Sequence, residues 1–195
     1  NNLIKKTLKK HSRIIFNGNG YSDEWVQEAE KRGLLNLKTT TDAMPYYLAQ
    51  KNIDMFQKHG VHSETEMKAR YDIQMEEYCK ILKIESKTMI DMVRKQILPA
   101  CFEYIKDVAS SINQTKSVLP KVSCTAQTEL VQNISDLCDK TFASVQNLEN
   151  TLAETKKLGD TTMVAKFYTA QVIPAMAELR EFADTLETMV AKKYW

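Results

Sequence analysis

The residues from Arg13 to Trp25, RIIFNGNGYSDEW, bring together the groups in this chain best suited to chemistry. Glycine-flanked amides just ahead of a helix start can cradle an anion or a neighbouring carboxylate. The same stretch, Asn17, Gly18, Asn19, Gly20 and Tyr21, also suits a tight turn in which Gly18, Asn19 and Gly20 tolerate positive φ. We expect the turn, because no third glycine of a dinucleotide loop follows and no GxxxxGK[ST] occurs anywhere. A second candidate is Glu85, a carboxylate on an otherwise apolar helical seam. It is expected either to lie at the seam's edge against a lysine or to hold a buried polar contact to a partner segment, since an unpaired buried charge is very costly.

The remaining constellations are missing. GxSxG and HExxH do not occur, and no cysteine has a histidine partner suited to nucleophilic work. His59 and His62 straddle Gly60 with no cysteine near them, too few ligands for zinc. The acids mostly alternate with lysines on helical faces, the pattern of a solvated surface. No catalytic, cofactor-binding or metal-binding residue is therefore assigned. Cys79, Cys101, Cys124 and Cys138 contain no CxxC pair and read as buried free thiols of a reducing, cytoplasmic protein.

These groups must be positioned by helices. Only 5 glycines and 4 prolines occur in 195 residues, with 43% hydrophobic and 27% charged content, which favours long helices in a globular domain. A net charge of +2 gives no case for nucleic acid, and no apolar run reaches the ~20 residues of a membrane span. The basic start, Lys5 to Arg13, is expected to be a solvated helix face opposite Leu3, Ile4 and Leu8.

Residues 2–12 should form a first helix and 13–17 an extended piece. Ser22 should cap a helix that ends near Arg32 with Gly33 as its left-handed terminator. A polar connector, 36–41, leads to one helix from Asp42 to His59, with Pro45 in its first turn and Gly60 ending it. Ser63 and Glu66 fit a capping box. It opens a long helix to Val108, striped by Tyr71, Met75, Tyr78, Leu82, Glu85, Met89 and Met92 and kinked at Pro99. Residues 110–122 are expected as a loop, followed by long helices over 123–157 and 160–192. The fold class is thus mostly α: an elongated antiparallel bundle of three long helices (61–195), preceded by shorter helices and the Gly/Asn turn (1–60), both parts of one C-terminal domain. Gln96-Ile-Leu-Pro-Ala recurs as Gln171-Val-Ile-Pro-Ala, which suggests matched proline bends.

The run RIIFNGNGYSDEWVQEAEKRGLLNLKTTTDAMPYY resembles a signature of type III glutamine synthetases, the large bacterial form of that enzyme. Lys58-His-Gly-Val, Ile84 to Met92, Lys95 to Ala100 and Val172 to Arg180 are similar to the same family. The resemblance implies the C-terminal region of a longer subunit, in keeping with a chain that starts Asn-Asn and stops Lys-Lys-Tyr-Trp. It implies ATP-dependent ligation of ammonia to glutamate in the full-length enzyme, with Mg or Mn and ATP as cofactors there and none in this segment. It also implies the rest of the subunit as partner, a homo-oligomer (a double-ringed dodecamer), and a turn at Asn17–Tyr21 that leaves the catalytic domain near an active site or a neighbouring subunit. The rival expectation is a free-standing helical-bundle interaction module.

Overall fold

The computed structural model describes residues 1–195 as helices joined by turns, without a strand. Four short helices come first: α1 (Asn2–Lys10), α2 (Asp23–Lys31), α3 (Thr40–Tyr47) and α4 (Gln50–Lys58). Three rods of 55, 33 and 29 residues follow. The first is α5 (Glu64–Met92), a π-helical turn (Val93–Ile97) and α6 (Leu98–Val118). The second is α7 (Thr125–Glu154) with a 3₁₀ turn (Thr155–Lys157). The third is α8 (Thr161–Phe167), a second π turn (Tyr168–Val172) and α9 (Ile173–Met189).

Local chemistry accounts for most ends. Arg32 closes α2, and Gly33 follows at φ +73°. The Leu34 N–H reaches the Ala29 carbonyl and that of Gly33 the Glu30 carbonyl, a complete Schellman motif. Gly60, at φ +63°, repeats the pattern after α4. The capping box forms: the Ser63 hydroxyl accepts from the Glu66 N–H, and the Glu66 carboxylate accepts from the Ser63 N–H at 2.7 Å. Those hydrogen bonds hold the Glu66 carboxyl below its ordinary range. Asp160 Oδ2 accepts from the Met163 N–H at 3.1 Å and caps α8.

The expected helix over 42–59 is instead two. Thr39, not Asp42, is the cap of α3, and the chain breaks at Leu48–Ala49, where Ala49 is extended. Pro45 lies inside α3 rather than in its first turn and leaves the Thr41 carbonyl without its helical donor, and Asn52 Nδ2 donates to the Tyr46 carbonyl across the corner at 2.6 Å. The expected loop 110–122 is mostly helix. Nothing from Ser110 to Val118 breaks a helix, and α6 stops only where Leu119 meets Pro120. Residues 12–14 form a 3₁₀ turn rather than an extended piece.

Consecutive rods run antiparallel and the first and third run parallel. Tyr71 meets Thr162, Tyr78 meets Thr169 and Ser86 meets Met176, a constant offset of about 90 residues. Between them lies the core: Leu82, Ile90, Val93 and Cys101 from the first rod, Ile134, Val145 and Leu148 from the second, Tyr168, Val172, Leu179 and Leu186 from the third. Arg94 clamps the first rod to the second through a two-pronged pair with Glu149, at 2.6 and 2.7 Å.

Both repeated proline segments follow π turns. The Leu98 N–H bonds to the Val93 carbonyl and the Ile173 N–H to the Tyr168 carbonyl, each five residues back. The widened turn relieves the clash a proline ring makes with the carbonyl four residues before it. The bends are not matched side by side. On the offset above, Pro174 stands level with residue 83 or 84 of the first rod, about 24 Å from Pro99 at ~1.5 Å per residue.

Candidate functional site

The stretch Arg13–Trp25 folds onto α2 to make a small unit of its own. Phe16 packs on Trp25, ring centroids 4.7 Å apart. The Arg32 guanidinium lies 5.8 Å from the Trp25 ring. It donates to the carbonyls of Arg13 (3.0 Å) and Ile15 (3.3 Å) and pairs with Glu28 at 2.7 Å. Arg32 thereby ties a segment with little regular structure to the last turn of α2. The Glu28–Arg32 spacing of four was legible as a helix pair, but the long-range use of Arg32 carries no sequence signal.

A turn closes over Asn19–Ser22, beginning two residues later than expected and by a different device. Asn19 Oδ1 accepts from the Tyr21 N–H at 3.0 Å, the Asn19 carbonyl accepts from the Ser22 N–H at 3.1 Å, and the Ser22 hydroxyl also donates to that carbonyl. This is an Asx turn followed by a β-turn. Gly18, Asn19 and Gly20 all keep negative φ, because side-chain bonding rather than left-handed backbone closes the turn. Gly18 serves another purpose: a Cβ there would stand 2.6 Å from Cζ of Phe16, so any other residue would push that ring aside. Ser22 sits at the N-cap position of α2 with its hydroxyl turned to Asn19 and Glu24, not to the helix amides.

Glu85 is a correction. It is exposed, and the buried line runs Leu82, Ser86, Ile90, Val93. A strict seven-residue repeat drifts by ~20° per heptad on a straight α-helix, so beyond Leu82 the seam moves off Glu85 and Met92. Ser86 is the polar residue that enters the core, its hydroxyl donating to the Leu82 carbonyl at 2.6 Å. The Gly/Asn turn and Glu85 lie on separate elements and form no common site.

All four cysteines are free; Cys101, Cys124 and Cys138 are buried and Cys79 only half-buried. The contact with Cys101, with burial, pushes the Cys138 thiol up. No group of three or more His, Cys, Asp or Glu side chains is placed to hold a metal ion. The residues present thus do not fit a Mg or Mn site.

What the N-terminal unit does offer is uncovered apolar surface. No residue of α1 or α2 is buried. Leu3 is 78% exposed, Ile4 63% and Tyr21 fully, while Lys5, Lys6, Lys9 and Lys10 ride the same helix. No helix of the chain is long and apolar enough to cross a membrane. Replacing Arg32 with alanine, in a Trp195→Phe background, is expected to red-shift Trp25 emission and leave the melting of the three-rod core unchanged. Unchanged emission would count against the clamp.

Residues 1–116 match the family of glutamine synthetase C-terminal domains. The chain is 39% identical over 98% of its length to the glutamine synthetase of Butyrivibrio fibrisolvens. It is 35% identical over its whole length to the type-3 glutamine synthetase of Dictyostelium discoideum, and 24% identical over 99% to the glutamine synthetase of Bacteroides fragilis. In each case it spans 27% of the relative's length.

Proposed function

Because this chain belongs to the glutamine synthetase C-terminal domain family and is the C-terminal region of a type-3 glutamine synthetase, we propose that it completes a larger subunit by packing rather than by chemistry. In this reading the full-length protein ligates ammonia to glutamate at the expense of ATP, with Mg or Mn, and every residue of that chemistry lies outside these 195. The subunit is a cytoplasmic homo-oligomer, a dodecamer, without nucleic acid or membrane as partner. The helical region supplies contacts to the rest of the subunit and between subunits.

The observation that carries the proposal is the uncovered apolar face of residues 1–35, set in a chain spanning 27% of its relatives' length. Leu3, Ile4 and Leu8 on α1, with Ile14, Tyr21 and Leu34, present apolar groups that these 195 residues leave at least half exposed. Exposed apolar patches of this kind mark surfaces that another part of a protein occupies. Asn19–Ser22 is then a joint: a side-chain-closed turn that presents a fully exposed tyrosine to the rest of the subunit or to a neighbour. A free-standing interaction module has no observation in its favour once the family is known.

The test is a synthetase assay on this chain with glutamate, ammonia, ATP and Mg²⁺. No glutamine above the no-protein control is expected, and measurable turnover would overturn the proposal.

A further inference from the structure

Two adjoining grooves run between α5, the 3₁₀ turn Thr155–Lys157 and the start of α8. The larger is about 560 Å³ and the smaller about 390 Å³. They share Lys83, Thr155, Lys156 and Tyr168, and the larger adds Lys87. We propose that this groove binds an oligophosphate-bearing small molecule of nucleotide size.

The charge distribution is the main argument. Three carboxylates line the grooves; two are in ion pairs, and the third, in the smaller groove only, is a helix cap that keeps its charge. Glu149 is held by Arg94 at 2.6 and 2.7 Å, Glu76 by Lys80 at 3.2 Å, and Asp160 caps α8 through the Met163 N–H. Lys83, Lys87 and Lys156 make no ion pair. Lys83 and Lys87 are four residues apart on one helix, a like-charge spacing that destabilises a helix when left alone. Lys156 adds a third ammonium from the opposite wall of the same depression. Three lysines line the larger groove, whose one carboxylate, Glu149, is already paired with Arg94, and together they match several phosphoryl groups in one ligand.

The floor is suited to the rest of such a molecule. Ile90, Leu152 and Ala153 give the larger groove an apolar side. Tyr168 is 2% exposed and lines both grooves. Burial pushes its phenol above the ordinary tyrosine range, and a tyrosine hydroxyl is a protonated donor at neutral pH in either case. The volume of the larger groove falls in the range of small-molecule sites, ~300–1,000 Å³. The inference does not depend on the proposed synthetase role, because it concerns a different face from residues 1–35 and is read by binding alone.

Isothermal titration of the chain with inorganic tripolyphosphate at low ionic strength should show saturable one-to-one binding. Lys83→Gln/Lys87→Gln should weaken it about tenfold or more, as expected for loss of two charge-assisted contacts. Lys83→Arg/Lys87→Arg should retain binding, with unchanged melting temperatures as the folding control. Lys5→Gln/Lys9→Gln, on the basic helix α1, should change affinity less than about twofold, since those charges lie outside the groove. ADP should compete with tripolyphosphate. The proposal is overturned by absence of saturable binding, by equal weakening in the α1 variant, or by capture of a glutamate-rich peptide without any binding of tripolyphosphate.

Discussion

Leu179→Ala is expected to lower the unfolding free energy by about 2–5 kcal/mol, the cost of deleting a fully buried leucine and leaving a cavity. Leu179 is 0% exposed and stands among Val145, Leu148, Val172 and Leu186, with α7 against α9. A domain's whole stability is only ~5–15 kcal/mol, so this one substitution removes a large share of it. Urea titration followed by circular dichroism reads the effect directly. Leu3→Ala serves as the contrast. On a helix with no buried residue, it should stay within about 0.5 kcal/mol. A loss below ~1 kcal/mol for Leu179→Ala, or an equal loss at Leu3, would contradict the core described here.

Thr169→Val should be the most disruptive change that keeps side-chain shape. Thr169 lies in the second π turn, where its hydroxyl meets Tyr78 at 2.9 Å and Thr41 at 3.1 Å and also reaches the Ala165 carbonyl. Through Thr41, 5% exposed, this one hydroxyl ties α3 to the bundle as well as the first rod to the third. Valine leaves the Tyr78 hydroxyl without its partner, and a stranded polar group costs ~1–3 kcal/mol. A double-mutant cycle with Tyr78→Phe isolates the pair: the double variant should lose less than the sum of the singles. Strict additivity would mean that the hydrogen bond contributes nothing.

The features legible in the sequence are those decided by a few neighbouring residues. Gly33 and Gly60 end helices, Ser63 with Glu66 opens one, and Asp160 opens another, because caps depend on three or four residues at a time. The three long rods follow from apolar periodicity and the scarcity of breakers. Long-range phase was not legible in the same way. Whether Glu85 or Ser86 faces the core depends on slow drift accumulated since Ser63, and beyond Met92 the phase also depends on the extra residue of the π turn. Arg32 shows a different limit. Its bonds to Arg13 and Ile15 span 19 and 17 residues, and nothing local encodes them. The Gly/Asn turn starts at Asn19 rather than Asn17 and was explained wrongly, because Asn19 closes it with its side chain while Gly18 makes room for the Phe16 ring.

The two π turns bear on which changes of length the chain can accept. Each is a one-residue excess over a regular helix, and the buried positions beyond it are set by that excess: Val93 is followed by Leu98, a step of five. Deleting a single residue from Val93–Ile97 would leave Leu98 four positions after Val93 and Cys101 seven, both close to whole turns of a plain α-helix, so the seam would hold. The same deletion inside Glu64–Met92 would turn everything beyond it by about 100° about the rod axis, although no core side chain had been altered. The turn at 119–124 and the corner at Leu48–Ala49 carry no such phase. Insertions and deletions in this domain should therefore collect there, single-residue deletions should also be accepted at the two π turns, and the regular stretches between should keep their length even where their side chains vary.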